Sequence, residues 1–200
     1  MPFRWNCVSM KLRLGILLAI AVVTIPGVAN SEPKTGRTTT KSVQTKRLTT
    51  EEAIQGVLNF TNQVRKAHGL GVLKVETRLA SAAQWMVQDM ASNNYFSHTD
   101  SLGRGLGDRV PSFGYDEFLS IRENLAAGHE TPEEVVQGWM DSPSHRENLL
   151  CPKVTEVGIG YVSDVNARYV RYWAQEFGRP NSIDMQRRVS IANAEATPKK

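Results

Sequence analysis

The sequence predicts an α+β sandwich whose sheet is at least partly antiparallel, and three observations carry that prediction. Apolar residues recur at three- and four-residue steps over Ile54–Val64 and Leu79–Met90, the period of helices with one buried face. "FLSIRENLAAG" is a run of strand length with apolar ends. Late in the chain "EVGIGYV" alternates, "SDVNAR" turns, and Tyr169 to Phe177 returns with aromatic weight, the pattern of a β-hairpin. Helices that bury one stripe and strands that bury one face pack as layers around a shared core.

The ends read differently from the middle. The chain has 200 residues, 40% of them hydrophobic, which suits one domain with non-domain ends. Residues 1–29 read as an export signal: Arg4, Lys11 and Arg13 precede an apolar run from Leu14 to Val28, and Gly27-x-Ala29 offers a cleavage site before Asn30. The run is shorter than the ~20 residues of a bilayer span, and an uncleaved anchor is the competing reading. "MKLRLGILLAIAVV" makes Met10 an alternative start. Residues 30–48, rich in Ser, Thr and Lys, read as a disordered linker, and 181–200 as a polar, flexible tail holding a short amphipathic piece, "SIDMQRRVSI". The domain is therefore expected over 49–180, in a secreted or periplasmic protein with no transmembrane segment once mature.

Charge follows the same division. The formal net charge is +4, yet residues 51–180 hold 12 basic and 17 acidic side chains, a net of −5. An acidic domain excludes a nucleic-acid partner. The basic ends either solubilise the chain or touch an anionic cell-envelope polymer. Of two cysteines, Cys7 precedes the expected cleavage, so Cys151 remains alone, expected buried and without a disulfide.

Within the domain, Thr49-x-x-Glu52 is a capping box opening the first helix, with Gly69 as its stop. A second helix is expected from Thr77, its candidate N-cap, to Asn93, burying Leu79, Ala82, Ala83, Met86 and Met90. A short helix near Leu106–Val110 should end at Pro111; the glycines around it match a nucleotide loop only loosely and follow no strand, so a nucleotide site is rejected. Thr131, Pro132 and Glu134 form the cap of another helix, with Val135, Val136, Trp139 and Met140 on its apolar side. Gly158 and Gly160 alternate with the buried positions of the hairpin and imply a neighbouring element at close range.

Four histidines are available. His68 sits at a helix C-terminus, which welcomes a cation, and His129 lies in a loop; neither is assigned a role. His98, His145 and Glu123 are the candidates for chemistry, because a carboxylate inside an apolar strand is costly unless paired or ligating. Around "GWMDSPSHRENLL" three readings compete. Ser142 caps a helix that starts at Pro143. Alternatively Ser142, or Ser97, is a hydrolytic nucleophile with His145 as base and Glu123 as orienter, although no GxSxG elbow exists. Or His98 and His145 hold a divalent metal, with Glu123 as ligand or behind a ligand. Residue spacing alone does not choose among them.

Five ordered motifs, "FSHTD", "RENLAAG", "GWMDSPSHRENLL", "EVGIGYV" and "RYWAQEFG", resemble the CAP superfamily of cysteine-rich secretory proteins, antigen 5 and pathogenesis-related proteins, and within it the bacterial SCP-like extracellular branch. The resemblance covers about Thr49 to Pro180. It implies a three-layer α–β–α sandwich with a central cleft lined by two His and two Glu. His98, Glu123 and His145 match three of these; the fourth position, a Glu in the wider family, is Ser142 here, a polar neighbour of the cleft. The resemblance carries no single activity. It implies a binding module for metal, lipid, sterol or partner protein, or a cluster that merely ties helices to sheet. The expected function is a non-enzymatic module able to hold a divalent cation, Zn2+ by its donor set; the alternatives are an envelope- or partner-binding surface protein, and a hydrolase.

Overall fold

The computed structural model describes residues 48–196. The expected signal and all but the last residue of the expected linker lie outside the described residues. Elements run in the order α1 (Thr50–Ala67), β1 (Lys74–Val75), α2 (Thr77–Ser92), α3 (Leu106–Arg109), a 3-10 turn (Val110–Phe113), β2 (Phe118–Ala127), α4 (Pro132–Asp141), α5 (Pro143–Leu149), β3 (Glu156–Ser163), β4 (Arg171–Pro180) and α6 (Ser182–Ala196).

One four-stranded sheet has the order β1-β3-β4-β2. β4 pairs antiparallel with both β2 and β3, while the two-residue β1 pairs parallel with β3, so the sheet is mixed. Alternation along the strands divides two cores. Val157, Ile159, Tyr161, Trp173 and Phe177 pack with Ala53 and Val57 of α1 and Val135, Val136 and Trp139 of α4. Leu125, Tyr172 and Ala174 pack on the other face with Ala83, Met86, Val87 and Met90 of α2. The result is the expected α–β–α sandwich, with α1, α4 and α5 on one side and α2 and α3 on the other.

The local signals act as read. Thr49 Oγ1 accepts from Glu52 N while Glu52 accepts from Thr49 N, and Thr131 and Glu134 do the same for α4. Gly69 follows the α1 C-cap at φ +72, a left-handed conformation that glycine adopts without steric cost. The hairpin glycines are sites of close approach. A Cβ on Gly158 would lie 2.0 Å from the Leu79 backbone, and one on Gly160 2.3 Å from that of Ala83. α2 therefore rests directly on the strand backbone.

Four readings are corrected. The N-cap of α2 is Glu76, whose carboxylate accepts from Arg78 N, and Thr77 is already helical. Pro111 does not end its segment, because a 3-10 turn tolerates proline near its start; the chain runs on to Phe113 and stops at Gly114, φ +85. Ser142 is at the N-cap position of α5 with extended backbone, but its hydroxyl makes no capping bond and lies 3.5 Å from Ser144 Oγ. The segment read as a flexible tail is helical over Ser182–Ala196. Arg78 grips Asp184 through two bonds of 2.8 and 3.1 Å, and Arg188 reaches Glu156 at 2.6 Å and Glu76 at 2.8 Å. That helix is fastened by ion pairs, for which apolar periodicity gives no signal.

Candidate functional site

β2 is an edge strand, and the candidate residues gather along it. Its odd-numbered side chains, Ile121, Glu123 and Leu125, face the α2–α3 layer, as the packing of Ile121 and Leu125 shows. Its even-numbered ones meet α5: Asn124 Nδ2 donates to the His145 carbonyl at 3.1 Å and to the same side Asn148 Nδ2 donates to Asn124 Oδ1 at 3.0 Å. Asn148 Nδ2 and Trp139 Nε1 also cover the outward carbonyls of Glu123 and Leu125, at 2.9 and 3.1 Å. Covering an edge in this way removes a template for unwanted strand pairing.

His98 lies on the loop after α2. That loop is anchored on Asp89, which accepts from Ser101 N (2.9 Å), Ser101 Oγ (2.5 Å), Asn93 Nδ2 (2.8 Å) and the Tyr95 hydroxyl. Burial opposes ionisation of Asp89, but these bonds outweigh it and hold its carboxyl below the ordinary value. The anchored loop delivers the imidazole to Glu123, with His98 Nδ1 at 2.6 Å from Glu123 Oε1. Glu123 is 6% exposed, whereas the His98 side chain is 62% exposed. One ring nitrogen is therefore tied inward to the carboxylate while the ring itself meets solvent.

The other oxygen of Glu123 is taken by Arg109, a residue that sequence reasoning read only as part of a short helix. Arg109 is fully buried; its Nη2 donates to Glu123 Oε2 and, at 3.3 Å, to Glu176 Oε1, and its Nη1 reaches the His98 carbonyl at 3.4 Å. Glu176 was missed as well. It lies directly opposite Glu123 across β2 and β4 and is wholly buried. The signal was available, since a carboxylate inside the aromatic strand "RYWAQEFG" raises the same question as Glu123.

His145, the third residue of α5, comes from the opposite side of the edge. The hydrogen bond to Glu123 raises the His98 pKa above the ordinary histidine value, against its burial. Burial lowers His145 below that value, and the charge of His98 adds to the effect. The two imidazoles are thus close enough to feel each other. The structure joins His98 to Glu123 and sets His145 beside them, but Ser142 bonds neither His145 nor Glu123, and Ser97 Oγ accepts from Thr99 N at 3.0 Å. Among the described residues no group of three or more His, Cys, Asp or Glu is arranged to hold a metal ion. With both Glu123 oxygens engaged, the donors open to a cation here are imidazole nitrogens.

The remaining sequence candidates lie elsewhere. His68 Nδ1 bonds its own helix at Val64 O, 2.9 Å. His129 packs against Gly138 and lines a cavity of about 630 Å³ beside α4. Cys151 is free and buried, as expected. No helix among the described residues is long and apolar enough to cross a membrane.

Sheet order, layers and the His98–Glu123 edge together define an SCP-type domain, and comparison with known proteins agrees. The profile of the cysteine-rich secretory protein family, CAP, matches residues 58–177, and the chain belongs to that family. The uncharacterised protein YkwD of Bacillus subtilis is 38% identical over 121 residues, covering 60% of this chain and 45% of YkwD. The uncharacterised membrane protein YlbC of the same organism is 36% identical over 104 residues, 52% of this chain and 30% of YlbC. The chain thus spans less than half the length of these two relatives. Among solved structures, an extracellular protein containing a SCP domain from Bacillus anthracis superposes with a TM-score of 0.58 at 33% identity, covering 65% of this chain and 41% of that one. An outer surface protein of Borrelia burgdorferi gives a TM-score of 0.60 at 25% identity, covering 66% and 95%.

Proposed function

We propose that this chain is an exported, non-enzymatic CAP binding module whose His98–His145 edge takes a divalent cation. The observation that carries the reading is the placement of His98: Nδ1 is held by Glu123 at 2.6 Å while the ring is 62% exposed. Metal-binding histidines commonly donate one ring nitrogen to a carboxylate, which orients the ring and leaves the other nitrogen for the ion. Glu123 then stands behind His98 rather than on the cation, and His145, kept neutral by burial, is the second donor. Two imidazoles with open positions favour Zn2+ over Ca2+, which prefers oxygen. Bound there, the cation would act as a bridge to an external ligand with its own donor atoms. Binding through so few protein donors is weak and is lost as the histidines protonate.

Calorimetric titration with Zn2+ tests this directly. Heat is expected from the wild-type chain and none from the His98→Ala/His145→Ala variant; equal heats would sink the reading.

Export would place the module at the cell envelope or outside the cell, and two of its structural relatives are an extracellular protein and an outer surface protein. Envelope polymer, lipid or protein are the partner classes compatible with that location. A hydrolase built on Ser142, His145 and Glu123 has the least support, because Glu123 is committed to His98 and Arg109.

A further inference from the structure

The buried charges behind His98 do not balance. Arg109 and Glu176 are fully buried and Glu123 nearly so, leaving one guanidinium among two carboxylates. The carboxylates are cross-strand partners, an arrangement in which like charges repel. Arg109 does not divide itself evenly between them. It bonds Glu123 Oε2 closely, whereas its Nη2 and Nε stand 3.3 and 3.4 Å from Glu176 Oε1, and Glu176 Oε2 is buried without a partner. Among the described residues no other side chain answers Glu176. β3 presents Gly158 opposite it, and α2 packs on that face of the sheet through Leu79, Ala82, Ala83 and Met86. The buried carboxylate of α2, Asp89, is already bonded by Asn93, Tyr95 and Ser101. A buried ion with half its oxygens unpaired costs far more than the neutral acid.

We propose that Glu176 is a positioning residue for His98: as an uncharged acid it leaves Arg109 to Glu123, and its ionisation draws Arg109 across and leaves His98 as the chief partner of Glu123. Burial, reinforced by the Glu123 charge, pushes the Glu176 carboxyl up to about 8. The exchange therefore falls on the alkaline side of neutrality. Arg109 also reaches the His98 carbonyl at 3.4 Å, so its movement is felt by the loop as well as by the imidazole. The inference rests on His98 being the presented imidazole, but it involves no metal, so it and the cation reading fail separately.

Carboxyl carbon resonances of the full chain, followed across roughly pH 4 to 10, test it together with the Arg109 Nε–H resonance. Glu176 is expected to titrate near pH 8. Because an arginine guanidinium keeps its charge over this range, Arg109 reports its neighbours and should move with the same midpoint. In Glu176→Gln that Arg109 response should vanish while the His98 ring still titrates. A Glu176 midpoint in the ordinary carboxylate range, about 4, overturns the proposal. So does an Arg109 response that survives in Glu176→Gln. Should that variant not fold, the two wild-type midpoints decide alone: coincidence near 8 supports the assignment, and separation refutes it.

Discussion

At the scale of single residues, the site is a chain of contacts from a buried acid to an exposed ring: Glu176, Arg109, Glu123, His98. Its pH behaviour follows from two opposite shifts. His98 binds its proton more tightly folded than unfolded, so the stability it contributes is complete below the ordinary value of about 6.5 and is lost as pH rises through its raised folded value. His145 is depressed, so folding is unpenalised above about 6.5 and loses stability as pH falls toward its lowered value. Glu123→Gln should bring the two midpoints closer together. Removing the carboxylate lowers the His98 midpoint, and with less charge on His98 the His145 midpoint rises. Proton NMR of the two ring signals checks this; midpoints that both stay in place would remove Glu123 as the cause.

At the scale of elements, the geometry of the site depends on how closely α2 lies on the sheet, because the His98 loop continues from the end of that helix. The backbone of Ala83 sits where a Gly160 side chain would be. Gly160→Ala should therefore destabilise the domain by about 3 kcal/mol, at the upper end of overpacking costs, since backbone cannot rotate away as a side chain can. Urea unfolding measures the loss. A change below about 0.5 kcal/mol, the range of ordinary surface substitutions, would mean that α2 lifts off freely. The glycine spacing was legible beforehand because two alternating positions without side chains imply a close neighbour. Which neighbour filled the space was not, since Leu79 and Ala83 of α2 lie more than 70 residues away along the chain.

At the scale of the whole molecule, α6 closes the end of the sandwich where α2 begins and β3 starts. Asp184 is buried between Arg78 and Arg188, and their hydrogen bonds hold its carboxyl below the ordinary value despite burial. Asp184→Ala strips two arginines of a partner and should cost about 1–2 kcal/mol, with the wild-type contribution itself fading as acid protonates the carboxyl. Thermal unfolding at neutral and acid pH compares the two chains. A deficit that persists unchanged into acid would point to packing rather than charge.

Most of the secondary structure and three of the candidate residues were legible because each has a local mark, and the layers were legible through the family resemblance. Caps have Ser/Thr and Glu at fixed spacing, core faces have a period, and His98, Glu123 and His145 stand inside recurring motifs. β1 was not legible, since two exposed residues become a strand only by pairing with β3. Arg109, Glu176 and the docking of α6 were missed for a related reason. Buried ion pairs join residues far apart in sequence, and no periodicity records which charge will meet which. By itself, then, the sequence determined an α–β–α domain and singled out His98, Glu123 and His145 as its candidate residues. Only the tertiary structure decided that Glu123 stands behind His98, that Ser142 stands outside the hydrogen-bonded set, and that a second buried carboxylate backs the site. The physical reason is that the worth of a charge depends on its burial and partners, which exist only once the layers have packed.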